Sequence, residues 1–107
     1  VILHTPAVAR FTAPSDPARH LRAAAALGAN TSDVDARDAG EVLANRVIEI
    51  MQELNMPNGL SAVGYGQEHI PALIEGTLPQ HRVTKLSPVE ATEEKLQGLF
   101  TDSLTIW

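Results

Sequence analysis

The 107-residue chain reads as an all-α protein, a helical bundle, on three observations. Apolar residues recur at steps of three and four over several segments, the period of a helix with one buried face. Several of those segments carry the residues that start and end helices, Asp16-Pro17, Asp35 and Thr92 at starts and Gly28 and Asn58-Gly59 at stops. No run alternates apolar and polar residues as a half-buried strand would. Length and the 44% apolar content fit one domain with a modest core, residues 1–107.

The first element is "VILHTPAVARFTA", with Leu3, Ala7, Val8 and Phe11 at helical spacing and Pro6 expected to kink or divide it. In "APSDPARHLRAAAALG" Asp16 is the expected N-cap, Pro17 suits the first helical position, and Gly28 can end the helix in a left-handed conformation. "TSDVDARDAG" is a polar loop whose Asp35 caps the longest helix, residues 36–55. There Ala39, Val42, Leu43, Val47, Ile50, Met51 and Leu54 form the expected buried face. "NMPNG" stops that helix, because Pro57 cannot continue the ladder and Asn58-Gly59 is turn chemistry. After a short apolar connector, "GYGQEHIPALIEGTL" starts a helix at Gly66, with Tyr65 and Ile70 placed to form a hydrophobic staple. The last helix takes Thr92 as N-cap, Glu93 and Glu94 at its positive end, and Leu96, Leu99 and Phe100 on one side.

Composition removes several function classes. A formal charge of −5 argues against the electrostatic footprint that nucleic acid or an anionic membrane needs, so neither is an expected partner. No apolar run approaches the ~20 residues that span a bilayer. The chain has no cysteine, which excludes disulfides and thiolate zinc sites and fits a reducing compartment, with cytoplasmic localisation the expectation. The four histidines lack helical metal-site spacing, "AVGYG" lacks the strand and third glycine of a phosphate cradle, and no serine stands in a nucleophile elbow. The abrupt apolar opening, Val1-Ile2-Leu3, reads as the edge of something longer. Self-association through exposed apolar surface is a further expectation.

One basic stretch remains, "HRVTKLSP" at residues 81–88, which from composition is a polar loop between helices. The run "IPALIEGTLPQHRVTKLSPVEATEEKLQGLF", preceded by "LGANTSDVDARDAGEVLANRV" and "GLSAVGYG", resembles the C-terminal end of the iron-containing alcohol dehydrogenase family, dehydroquinate synthase-like in fold. Within that family it is most similar to the hydroxyacid-oxoacid transhydrogenase branch, whose ends carry a comparable "GTLPQ-x-RVTKL-x-P" run. The resemblance implies an upstream dinucleotide-binding domain, with Fe2+ (or Zn2+) and NAD as cofactors of the parent. The metal ligands would lie upstream of Val1, so residues 1–107 alone would bind no cofactor, His4 would have no ligand role, and the chain would be inactive by itself. It further implies that the 81–88 loop borders the substrate pocket, with Arg82 or Lys85 pairing a substrate carboxylate and Val83 and Thr84 shaping the wall. The alternative is a non-enzymatic helical interaction module, distinguished by what covers the apolar surface.

Overall fold

A computed structural model describes all residues 1–107. It contains six α-helices and no strand: α1 (Thr5–Thr12), α2 (Pro17–Ala26), α3 (Ala39–Glu53), α4 (Ile70–Thr77), the single turn α5 (His81–Thr84) and α6 (Glu93–Asp102). Short 3-10 turns precede α1, α3 and α4.

The caps form as the sequence predicts. The Asp16 carboxylate accepts from Arg19 N–H at 3.1 Å, Pro17 opens α2, and Gly28 ends it at φ +95°. Thr92 Oγ1 accepts from Lys95 N–H at 3.3 Å at the start of α6. Asp35 accepts from Arg37 N–H at 3.0 Å, but it caps a 3-10 turn, Ala36–Asp38, and α3 begins only at Ala39. Pro6 and Pro71 both stand in the first turn of an α-helix, directly after a 3-10 turn. Each proline therefore divides its segment at a position where the missing N–H costs little. The Gly66 N–H donates to His69 Nδ1 at 2.9 Å, and the Tyr65 ring meets the His69 ring edge-on at 5.6 Å.

Packing divides between two groups of helices. α1 and α2 lie on α3, while α4 packs against α6 around Ile70, Ile74 and Leu96, with Leu78, Leu99, Phe100 and Leu104 at the margin. The groups meet where α1 touches α6, through the His4–Phe100 edge contact at 5.7 Å and the Lys95 ammonium 5.9 Å above the Phe11 ring.

The α3 face differs from its sequence-based expectation. Ala39, Val47 and Met51 are buried as predicted, but the rest of the seam is Gly40, Ala44 and Ile48, and Leu54 is 67% exposed. Small residues let the backbones approach: a Cβ on Gly40 would stand 2.9 Å from the Arg10 Cα and from the Ala13 Cβ. Across from it Ala7, Ala9, Ala13 and Ala24 are buried. An alanine and glycine seam is invisible to a pattern that scores large apolar residues.

The connector after α3 joins the segment after α6. Leu60 N–H donates to the Ser103 carbonyl at 2.8 Å, Ser61 N–H to the Leu104 carbonyl at 2.9 Å, and Asn58 Oδ1 accepts from Ile106 and Trp107 N–H at 2.8 and 2.9 Å.

Candidate functional site

The stretch 81–88 is not a plain loop. Residues 81–84 make one helical turn, with Thr84 and Lys85 N–H donating to the Gln80 and His81 carbonyls at 3.0 and 3.2 Å. Thr84 Oγ1 also donates to the Gln80 carbonyl at 3.2 Å. This turn orders the four proposed pocket residues. Arg82, Val83 and Lys85 are exposed and Thr84 is half-buried.

A cleft of about 610 Å³ opens beside the turn, lined by Leu78, His81, Thr84, Lys85, Ser87, Glu90 and Ala91. The structure thus separates residues that the sequence grouped. Thr84 and Lys85 line the cleft, whereas Arg82 and Val83 do not. His81, Ser87 and Glu90 join it unpredicted, although His81 and Ser87 stand within the same quoted stretch. Neither Lys85 nor Arg82 forms an ion pair, so both cations are free to meet an anion; Glu90 adds one negative charge to the rim.

A second, more apolar cleft of about 380 Å³ lies between α1, α4 and α6. His4, Val8, Leu73, Thr77, Leu96, Leu99, Phe100 and Ser103 line it. Burial of the His4 imidazole holds its pKa below the ordinary 6.5. Elsewhere Arg10 grips Glu41 with two bonds of 2.8 and 3.2 Å, and that hydrogen bonding lowers the Glu41 carboxyl pKa. Since Arg10 is spent on Glu41, it offers no free cation.

The residues present do not make a metal site. His4, His20, His69 and His81 do not converge with one another or with carboxylates into any group of three donors. His20 is occupied locally, its ring nitrogens 2.8 Å from Thr12 Oγ1 and from the Asp16 carbonyl.

Comparisons with known proteins agree on a single family. The family model described as Fe-containing alcohol dehydrogenase, C-terminal, matches residues 1–104. A probable mitochondrial hydroxyacid-oxoacid transhydrogenase from Dictyostelium discoideum is 53% identical over all 107 residues, which is 20% of its length. The mitochondrial hydroxyacid-oxoacid transhydrogenases of Xenopus tropicalis and Homo sapiens are 50% and 48% identical over the same span, 23% of each. Among solved structures, 1,3-propanediol oxidoreductase superposes with a TM-score of 0.85 at 20% identity, covering 95% of this chain and 26% of that one, which carries the fold. The chain thus spans 20–23% of the length of these transhydrogenases and 26% of the solved structure.

The relatives' mitochondrial names overturn the cytoplasmic expectation. That expectation rested on the absence of cysteine, which marks a reducing environment but does not tell one reducing compartment from another. On sequence and fold together, the chain belongs to the Fe-containing alcohol dehydrogenase family, as part of its C-terminal helical region.

Proposed function

We propose that residues 1–107 are the C-terminal helical part of a mitochondrial hydroxyacid-oxoacid transhydrogenase-like oxidoreductase, inactive alone. The observation that carries this reading is the identity of about half over the whole chain to three transhydrogenases. The family implies a divalent metal and NAD for the parent enzyme, and both would be held by residues outside 1–107.

Within that enzyme the chain supplies a wall of the substrate pocket. Hydroxy and oxo acids carry a carboxylate that needs a cation, and Lys85 offers one in the cleft, unpaired and beside the Thr84 side chain. Lys85 is the carboxylate partner and Arg82 an outward surface charge. The upstream domain closes over the exposed loop residues Val83 and Leu86, which are 56% and 80% exposed here. Without that cover, the isolated fragment self-associates through these and the other exposed apolar side chains.

The test is transhydrogenation by the full-length protein. A hydroxy acid such as 4-hydroxybutyrate and an oxo acid such as 2-oxoglutarate, incubated together, should yield the exchanged oxo and hydroxy acids. The fragment 1–107 should yield none. Absence of exchange by the metal-loaded full-length protein, with simple alcohols oxidised instead, would replace the transhydrogenase reading with that of another alcohol dehydrogenase.

A further inference from the structure

Asn58 makes more contacts than a turn residue needs. Its Oδ1 accepts from the N–H groups of Ile106 and Trp107, and its Nδ2 donates to the Trp107 carbonyl. An amide is the side chain that can accept and donate at once in this way, so the clamp fixes position 58 as Asn. Position 59 is fixed as Gly for a separate reason. Its φ is +79°, and a Cβ there would meet the Leu104 and Ser103 carbonyls, the latter at 2.7 Å. Two independent structural demands thus place Gly directly after Asn.

That dipeptide has its own chemistry. With no Cβ on the following residue, the Gly59 nitrogen can reach the Asn58 side-chain carbonyl. It bonds to Cγ and loses its proton, ammonia leaves, and the resulting succinimide is opened by water to Asp or isoAsp. The net change is one water consumed and one ammonia released, with no oxidant or cofactor.

In the folded chain this approach is opposed. The Gly59 N–H donates to the Pro57 carbonyl at 3.0 Å, the Gly59 residue is buried, and the next two N–H groups are tied to residues 103 and 104. The side chain it must meet is held by residues 106 and 107. We propose that Asn58 is a spontaneous deamidation site that the clamp between residues 58–61 and 103–107 keeps closed, so that each opening of the clamp exposes it. Deamidation would in turn disable the clamp, because a carboxylate at position 58 would face the Trp107 carbonyl where Nδ2 now donates.

The experiment follows residue 58 in the full-length protein by peptide mass spectrometry, resolving Asn, Asp and isoAsp after incubation at mildly alkaline pH. Native protein should convert at least about tenfold more slowly than the same protein in denaturing urea, since burial in a cooperative unit slows reactions that need local opening. Ile106→Pro, which removes one donor to Asn58, should raise the native rate severalfold towards the unfolded value. If that variant does not fold, amide exchange at Leu60 and Ile106 in the unsubstituted protein replaces it, and deamidation should be slowed by a factor similar to exchange. A native rate equal to or above the unfolded rate would overturn the proposal, and would mean that the two N–H groups on Oδ1 stabilise the tetrahedral oxyanion instead. A rate in folded Ile106→Pro equal to that of the unsubstituted protein, or deamidation uncoupled from exchange, would also overturn it.

Discussion

Burial of the His4 imidazole against Phe100 makes one residue a source of pH dependence. Its folded pKa lies below the unfolded 6.5, so the unfolded chain binds the proton first as pH falls. His4 therefore leaves stability intact above pH 6.5 and reduces it as pH drops from there towards the folded pKa. His4→Phe keeps a ring beside Phe100 and removes the titration. Between about pH 8 and about pH 5, the full-length variant should lose less stability than the unsubstituted protein, read as the shift in urea midpoint; equal losses would deny His4 this role. At the same scale the sequence was legible for residues acting alone and locally, such as the caps Asp16 and Thr92. It was silent on residues acting across a distance. Asn58 reads as a turn former because nothing in "NMPNG" points to partners about 48 positions away. Nor does "HRVTKLSP" say that Lys85 would line a cleft while Arg82 would not.

Helices α1 and α3 show what periodicity captures and what it misses. The existence of every helix longer than one turn follows from apolar spacing and boundary residues. The contact face of α3 does not, because its seam is built from Gly40, Ala44 and the alanines opposite. Close approach at Gly40 makes a test possible. Alanine in a helix interior gains up to about 1 kcal/mol over glycine, but forcing a methyl group against the Arg10 Cα and the Ala13 Cβ, both at 2.9 Å, carries an overpacking cost of about 1–3 kcal/mol. Gly40→Ala should therefore lower the melting temperature by a few degrees. Gly76→Ala is the control in α4, where nothing lies within 4 Å of the new methyl group, and it should leave stability unchanged or raised. Equal effects from both substitutions would contradict a small-residue seam. The 3-10 turns before Pro6 and Pro71 belong to the same scale: Pro6 is legible as a divider, whereas the sequence starts the later helix at Gly66 and the structure only at Ile70, after a 3-10 turn.

Taken whole, the molecule carries more surface than its size requires. An independent protein of 11.5 kDa exposes roughly 5,800 Å², whereas this chain exposes 6676 Å². Its radius of gyration is 14.1 Å, against about 13 Å for a compact domain of this length. Extents of 41 × 31 × 20 Å describe a slab, with exposed Val8, Val63, Tyr65, Val83 and Leu86 among its apolar side chains. A slab of this kind suits a chain that packs against a larger partner, as the proposed function requires. Under the proposed function Lys85 stands in a partly desolvated pocket where it meets a substrate carboxylate, and truncating one partner of such a pair costs about 2–5 kcal/mol. The most direct measurement is the ratio of kcat/KM for an acid substrate to that for a neutral alcohol of similar length, in full-length Lys85→Ala and Arg82→Ala. Lys85→Ala should lower that ratio about 30-fold or more, and Arg82→Ala should change it by less than about twofold, as befits an exposed charge. An unchanged ratio in Lys85→Ala would remove the carboxylate site from this chain.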